Sequence, residues 1–324
     1  MPARIVARTP LLYAEGPDRA LDRPAHVRAG SGLRLVDTSG GPRLMVAQDD
    51  ASFLALVDPI TMRTTSVALP AGPGGVRLYG DDRGNKKDKL DLECVEVFPD
   101  GGHTLVVALG SGSLRARERA VLAHFDRSPT EVRVVDAGRL YAALRALPLL
   151  RGCELNLEGM SRLPGSVTNP PRVRLFQRGN GKGGVDATVD IDEAALLAFL
   201  TRRGGVPALL DVRAHVLGEI GGVRLTFTDA CCGPGPRGAE RLLVTCAAEA
   251  SPNAVDDGEV VGAALGAWDG ERWQLEPILD ERGERWVGKP EGLALDKSDA
   301  ARAWIIVDKD DHTQPAELLT LSLS

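Results

Sequence analysis

The sequence predicts an all-β fold, a β-propeller of five blades, or of six if two helical segments conceal an irregular blade. A carboxylate motif recurs about every 65 residues, and self-similarity at a fixed period is the signature of repeat architectures. Each repeat contains short apolar runs separated by turns. The composition agrees, because 37 Gly, 21 Pro and only 4% aromatic residues are typical of a chain with many short elements. Residues 1–324 are expected to form a single propeller domain.

The repeated motif places a glutamate before an apolar run at Glu93, Glu158 and Glu291, in "DLECV", "NLEGM" and "KPEGL". The first interval is 65 residues and the second is 133, about twice as long, so a fourth copy is expected near residue 225. Asp229 in "VRLTFTDACC" stands at that place, and Ser31 in "GSGL" takes the position in the first repeat. Five repeats therefore account for the chain.

Each repeat is predicted to form a meander of consecutive strands, because its apolar runs are short and bounded by Gly, Pro and Asp. Four-stranded antiparallel units repeated round a channel are the plan of a β-propeller. The last repeat ends after its third strand, and the N-terminal "RIVARTPLLY" (4–13) belongs to no repeat. We therefore expect residues 4–13 to close the ring as the outer strand of the fifth blade.

Two segments break the strand pattern and predict short helices. Residues 134–148 and 188–205 carry Leu or Ala at helical spacing after an aspartate that can cap a helix. We expect both helices to pack against blades two and three; the alternative is a lid or a dimer contact.

Charge and cysteine content exclude several classes of protein. A formal charge of −6 and a pI near 5.5 argue against a nucleic-acid partner, which would require a basic face. The five cysteines are odd in number and lack C-x-x-C spacing, so we expect buried thiols, with Cys231 and Cys232 as the pair to test for reactivity. No apolar stretch predicts membrane insertion. The expected location is cytoplasmic, or periplasmic if a leader was removed.

The carboxylate motifs are expected to meet at one mouth of the channel, because they open the innermost strands of the predicted blades. Two unit charges about 4 Å apart repel by about 1 kcal/mol in water and about 4 kcal/mol at a protein-like dielectric, so protons or a cation must compensate. An all-oxygen cluster suits Ca²⁺, or less well Mg²⁺. The alternative is that each carboxylate bonds the backbone of the neighbouring blade. The predicted metal ligands are Glu93, Glu158, Asp229 and Glu291.

The loops after the second strands are expected to surround this mouth, and they are rich in charge. Hydroxyl and basic side chains there are candidates for binding an anionic or phosphorylated compound beside the cation. These predicted substrate-binding residues are Ser111, Ser113, Arg115, Arg117, Arg178 and Lys182. A metal-activated water would need a base, for which the candidates are Glu249, Asp308 and His312.

With its repeats laid out, the chain resembles bacterial propeller domains of unknown function related to the esterase-like phytase group and the SdiA-regulated propellers. The motifs that carry the resemblance are "DLECVEVFPDGG", "NLEGMSRLPG", "TDACC" and "KPEGLALD" with "VDKDD". The resemblance implies a central channel with calcium held by Glu93, Glu158 and Glu291. The chain departs from the pattern at Cys94, where a glycine is usual, and at Asp229, which is not followed by glycine.

The sequence therefore leads to two hypotheses about function. The first is a Ca²⁺-binding propeller that hydrolyses or binds a small anionic compound, as a metal-dependent phosphoesterase or esterase-like hydrolase. The second is a non-enzymatic propeller with a structural metal or none, whose charged face docks another protein. A lactonase-type propeller is a further alternative, since propellers of that type also place acidic ligands round a central cation. The oligomeric state is left open.

Overall fold

Antiparallel strands make up most of the chain. The computed structural model describes residues 2–127, 130–166, 168–180, 183–235, 240–251, 253 and 258–324. The strands are β1 (Ala3–Pro10), β2 (Gly30–Thr38), β3 (Gly41–Gln48), β4 (Phe53–Val57), β5 (Thr64–Ala68), β6 (Leu92–Asp100), β7 (His103–Gly110), β8 (Arg119–His124), β9 (Glu131–Asp136), β10 (Leu157–Leu163), β11 (Arg172–Gln177), β12 (Asp186–Asp192), β13 (Leu209–His215), β14 (Glu219–Ile220), β15 (Val223–Pro234), β16 (Glu240–Glu249), β17 (Val260–Trp268), β18 (Trp273–Leu279), β19 (Pro290–Leu295), β20 (Arg302–Val307) and β21 (Glu317–Leu323).

The strands form three four-stranded sheets and one sheet of nine strands. The four-stranded sheets are simple antiparallel meanders, β2 to β5, β6 to β9 and β10 to β13. The large sheet contains two further meanders, β15 to β18 and β19 to β21, with β14 added at one edge and β1 between them. The predicted strand repeats are thus present as meanders.

The N-terminal strand β1 completes the last meander. It pairs antiparallel with β21 from Ala3 opposite Leu323 to Pro10 opposite Glu317. Its parallel pairing with β18 is confined to Ala3 and Arg4. The strand predicted from residues 4–13 therefore lies beside the third strand of the last repeat, as expected, although it ends at Pro10.

The first strand of each meander packs against the first strand of the next. Strand β2 contacts β6, β6 contacts β10, β10 contacts β15, β15 contacts β19, and β19 returns to β2. A buried apolar cluster fills the space between each pair of neighbouring meanders. The closed order of contacts places these strands round a common axis, with their ends gathered at two mouths.

Both predicted helices are present, as α1 (Gly138–Arg145) and α2 (Glu193–Leu200), and each is shorter than its predicted segment. The Asp192 carboxylate caps α2 by accepting a hydrogen bond from the Ala195 amide at 2.8 Å. Leu144 of α1 and Leu196 of α2 are buried in the cluster between the second and third meanders. The helices therefore pack as core elements. Neither helix is long and apolar enough to cross a bilayer, and the described residues contain no other that is.

The five cysteines are free thiols, and three of them are buried. Burial raises the pKa of Cys231 to about 11 and that of Cys232 to about 12. A thiol reacts as its thiolate, so neither of these vicinal cysteines is primed for nucleophilic chemistry at neutral pH.

Candidate metal centre in the central cavity

A β-bulge near the start of each first strand sets the direction of one side chain. In all five strands the pairing with the second strand skips one residue, and a bulge of this kind re-aims the side chain that it carries. The skipped residues are Ser31, Glu93, Glu158, Thr228 and Glu291. The repeated "E" of the sequence motif is therefore the bulged residue.

Three of the predicted metal ligands converge. One carboxylate oxygen each from Glu93, Glu158 and Glu291 lies within 4.8 Å of the other two. The three side chains come from β6, β10 and β19, which belong to different meanders. Glu158 and Glu291 are each only 5% exposed. The structure thus gathers three buried or partly buried acids at the same end of the first strands.

Asp229 does not join this group. It stands one residue after the bulge, where the other first strands carry Gly32, Cys94, Gly159 and Gly292, so its side chain takes a different direction. The spacing of the sequence motif placed it one position away from the true equivalent, which is Thr228.

The Asp229 carboxylate is instead paired with Arg34. The Arg34 guanidinium lies 2.8 Å from Asp229 Oδ2, and the backbone amide of Leu293 donates to the same oxygen at 2.7 Å. Asp229 is fully buried, so its charge is satisfied within the protein. This arrangement matches the alternative in which a carboxylate ties neighbouring first strands together.

The three glutamates face a cavity of about 330 Å³. Its wall also contains five of the residues predicted for substrate binding or catalysis: Arg117, Arg178, Glu249, Asp308 and His312. Ser111, Ser113, Arg115 and Asp229 are not part of this wall, and Lys182 lies outside the described residues. The residues predicted to surround the channel mouth therefore coincide in part with the residues that line the cavity.

Two predicted hydroxyls serve charged neighbours and do not face the cavity. Ser111 Oγ donates to the carboxylate of Asp91. Ser113 Oγ accepts a hydrogen bond from Arg117 at 2.7 Å. Arg115 is exposed in a short 3₁₀ turn, Arg115–Arg117. Ser111 and Ser113 therefore orient Asp91 and Arg117, which line the cavity.

Arg178 donates hydrogen bonds to acceptors from three elements. Its guanidinium contacts Glu158 Oε1 at 3.3 Å, Thr226 Oγ1 at 3.1 Å and the carboxylate of Glu249. Glu249 also accepts the Gly258 amide at 2.7 Å. Burial works against its charged form, but Arg178, Lys289 and this amide outweigh burial and hold the pKa of Glu249 below its usual range. Arg178 therefore orients Glu158, and Glu249 is poorly suited to act as a general base.

Sequence reasoning missed several residues of this wall, and three of them share a position. Asp91, Asn156 and Lys289 each stand two residues before a bulged glutamate. Side chains two apart on a strand share a face, so "D-L-E", "N-L-E" and "K-P-E" contained the signal. Asn156 donates to Glu158 at 2.6 Å, and Lys289 Nζ lies 3.2 Å from Glu291.

A second group of acids shares Glu93 with the first. One carboxylate oxygen each from Asp49, Asp91 and Glu93 also lies within 4.8 Å of the others. Lys89 Nζ lies 2.6 Å from Asp49 and 2.7 Å from Asp91, and Arg117 lies 2.9 Å from Asp91. This group therefore already contains cationic side chains.

Burial and mutual repulsion change the acidity of the three glutamates. Burial, followed by the charge of Glu158 and other nearby carboxylates, raises the pKa of Glu93 well above its usual range. Burial raises the pKa of Glu291 in the same way, although Lys289 opposes it. The pKa of Glu158 is also raised by burial, against the effect of Arg178. The three carboxylates therefore bind protons more tightly than separate, exposed glutamates would.

Asp308 is a predicted base whose acidity suits proton transfer near neutral pH. Burial and the nearby charge of Asp310 raise the pKa of Asp308 to about 6. Its carboxylate also accepts the amide of Asp310 at 3.1 Å. His26 Nε2 donates to the backbone carbonyl of His312 at 3.1 Å, which holds this loop beside the cavity.

Known structures resemble the chain only distantly. Regucalcin from Agrobacterium tumefaciens strain C58, described as a calcium-binding protein, is 12% identical, with a TM-score of 0.41 over 99% of this chain and 94% of that one. A thermostable family-43 glycoside hydrolase is 13% identical, with a TM-score of 0.46 over 91% and 90%. The α-L-arabinanase of Penicillium chrysogenum is 8% identical, with a TM-score of 0.41 over 98% and 99%. Similarity at this level carries no information on the chemistry of the cavity.

Comparison with curated proteins gives no match. The sequence does match the profile of a family of unknown function, DUF6929, over residues 26–323. That range spans nearly the whole chain, and the protein belongs to this family.

Proposed function

We propose that the chain is a five-bladed β-propeller that binds one divalent cation, Ca²⁺, through Glu93, Glu158 and Glu291 at one mouth of its central channel. The observation that carries the proposal is the convergence of three carboxylates from three meanders at the wall of one cavity. The closed order of contacts among the first strands supports five blades, with β1 completing the fifth.

The charge balance of the cavity favours a divalent cation. The residues that line the cavity include twelve carboxylates and six lysine or arginine side chains, which leaves six negative charges. The twelve acids are Asp49, Asp50, Asp81, Asp82, Asp91, Glu93, Glu158, Glu249, Glu291, Asp308, Asp310 and Asp311, and the six bases are Arg28, Lys86, Lys89, Arg117, Arg178 and Lys289. A divalent cation bound by the glutamates reduces this excess and the repulsion between their carboxylates.

The donor set favours Ca²⁺ over other metals. The three ligands supply oxygen alone, which suits hard cations and not Zn²⁺ or Cu²⁺, whose sites usually include His or Cys. Carboxylates that bind through one or both oxygens meet the flexible coordination of Ca²⁺ more readily than the strict octahedron of Mg²⁺.

The open side of the ion would take a small anionic compound. Such a compound would complete the coordination with a phosphate or carboxylate oxygen, and Asp308 would accept a proton from a metal-bound water. Arg178 would hold Glu158 and Glu249 in place beside the ion, because it is bonded to both carboxylates. The proposed activity is therefore metal-dependent hydrolysis or binding of a small anion, on the first of the two hypotheses from the sequence.

Calcium titration of the purified protein tests the metal site. We expect the wild type to bind one Ca²⁺ in isothermal titration calorimetry and to gain about 2.7 kcal/mol of stability when free Ca²⁺ is about a hundred times its Kd. Glu158→Gln should lose the binding. Asp82→Asn, which removes an exposed carboxylate from the same cavity, should keep it. A wild type without Ca²⁺ binding contradicts the proposal.

The affinity for Ca²⁺ should also rise with pH. The raised pKa values of Glu93 and Glu291 mean that protons compete with the cation and are released when it binds. For the same reason the metal-free protein should lose stability as pH rises above the ordinary glutamate pKa of 4.5. Calcium titrations at about pH 5.5 and about pH 7.5 measure the predicted change in affinity.

Hydrolysis has its own test. The Ca²⁺-loaded protein is assayed against phosphomonoesters, phosphodiesters and lactones, with Glu158→Gln as the control. Turnover that disappears in Glu158→Gln and falls in Asp308→Asn supports the enzymatic proposal. Ca²⁺ binding without turnover above the control would instead favour a non-enzymatic propeller with a structural metal.

A further inference from the structure

Lys89 lies inside the second acidic group of the cavity. This group consists of Asp49, Asp91 and Glu93, and it shares Glu93 with the proposed calcium site. Two carboxylate trios with one common member form the layout that a pair of metal ions would use, with the shared carboxylate between them. The ammonium group of Lys89 contacts two members of the second trio, Asp49 and Asp91.

The contacts of Lys89 are those of a bound cation. Its Nζ lies 2.6 Å from Asp49 Oδ2 and 2.7 Å from Asp91 Oδ1. Lys89 is only 6% exposed, although lysine is rarely buried without charged partners. Burial opposes its charge, but Asp49 and Asp91 outweigh burial and keep the pKa of Lys89 above its ordinary value. The two carboxylates therefore stabilise the charged form of the ammonium in this position.

The position of Lys89 in the chain explains how it reaches the trio. It follows a short 3₁₀ turn, Lys86–Asp88, and stands two residues before Asp91. Arg117 holds Asp91 from a second side at 2.9 Å, so the carboxylate is fixed towards Lys89. Asp91 therefore binds the Lys89 ammonium through Oδ1 and Arg117 through Oδ2.

We propose that Lys89 restricts the metal centre to one divalent ion, because its ammonium occupies the place of a second. This inference rests on the proposed function, since it presumes a first ion at Glu93, Glu158 and Glu291. Lys89 acts on the centre through Asp49 and Asp91 and touches no substrate. It is a specificity-determining residue for the number of ions.

The number of bound ions tests the proposal, because an ordinary structural salt bridge would not change it. Native mass spectrometry and equilibrium dialysis with Ca²⁺ should count one ion in the wild type and two in Lys89→Ala. The second ion in the variant should bind to Asp49, Asp91 and Glu93, which have lost their ammonium. Lys89→Arg, which keeps a cation, should remain at one.

Two matched variants separate this effect from a loss of charge alone. Lys86→Ala removes a positive charge from the same cavity wall, where Lys86 pairs with exposed Asp81 at 3.2 Å, and it should remain at one ion. The double variant Lys89→Ala/Asp91→Asn lacks both the ammonium and one carboxylate, and it should return to one. Ca²⁺ should raise the melting temperature of Lys89→Ala by more than that of the wild type.

Each result decides the question. One ion in Lys89→Ala, or two in the wild type, overturns the proposal while leaving the calcium site intact. No ion in the wild type overturns the proposed function itself. If Lys89→Ala does not fold even at high Ca²⁺, a divalent ion cannot replace the ammonium, and the proposal fails.

Discussion

The guanidinium of Arg34 joins several first strands by hydrogen bonds to their backbone. It donates to the carbonyls of Leu293 at 2.8 Å and Met160 at 2.6 Å, and also to that of Ala230. These carbonyls belong to β19, β10 and β15, while Arg34 itself lies on β2. With Asp229 it therefore ties four of the first strands, β2, β10, β15 and β19, together.

Replacing Arg34 by Met should destabilise the protein strongly. The change leaves the Asp229 charge and the carbonyls buried without a partner, and breaking a buried pair in this way costs about 3 to 5 kcal/mol. Arg43→Met removes a partly exposed arginine that lies 3.4 Å from Asp58, and should cost about 1 kcal/mol or less. Urea denaturation of both variants measures the difference, and equal costs would contradict the central role of Arg34.

The contacts of single site residues could be predicted only where they follow from the position of the residue in a repeated motif. The convergence of Glu93, Glu158 and Glu291 follows from a repeated motif on repeated strands. The engagement of Arg178 by Glu249 follows from contacts between different meanders, which no local pattern contains. Arg178, predicted as a substrate-binding residue, lies in the cavity wall, but its bond to Glu249 could not be predicted from the sequence.

At the level of elements, the bulged first strand explains the glycine of the "E-G" motif. A Cβ added to Gly292 would lie 2.6 Å from the Leu33 amide nitrogen and 2.8 Å from the carbonyl carbon of Gly32. A Cβ on Gly159 would lie 3.1 Å from the Ala230 amide nitrogen. Glycine after the bulge thus lets the backbones of neighbouring first strands approach closely.

Gly292→Ala should therefore destabilise the protein by about 1 to 3 kcal/mol, because the clash is with backbone and cannot be relieved by a rotamer change. Gly205→Ala is the matched control, since a Cβ there meets nothing within 4 Å and should leave stability nearly unchanged. Thermal unfolding of both variants checks this. A Gly292→Ala protein as stable as the control would mean that the first strands are free to separate.

The same bulge shows why the sequence placed the fourth motif wrongly by one residue. Periodic spacing indicates which strand repeats, but it does not show which residue leaves the pairing register. Asp229 was selected because it is the carboxylate nearest the expected position, whereas Thr228 is the bulged residue. Strand existence was therefore predictable, and the register was not.

For the whole molecule, the predicted closure depends on β1. Ala3 and Ile5 are buried against the last two meanders, and the Ser324 amide donates to the Pro2 carbonyl at 3.2 Å. Closure was predictable because the last repeat lacks a fourth strand and the N-terminal segment has no repeat. The parallel contact between β1 and β18 merges two meanders into one sheet. This contact could not be predicted, because no local pattern encodes it.

Deleting residues 2–10 should therefore lower the free energy of unfolding by at least about 3 kcal/mol, since it removes buried side chains and a full strand of backbone pairing. It also exposes the edge of β21, so the truncated protein should aggregate more readily. A circular permutant is the control: it links Ser324 to Pro2 and opens the chain after Ile60, which is 89% exposed. The permutant keeps the pairing of β1 with β21 and should retain most of the stability, as measured by urea denaturation. If deletion and permutation cost the same, continuity of the chain, and not the closing strand, would be what stabilises the ring.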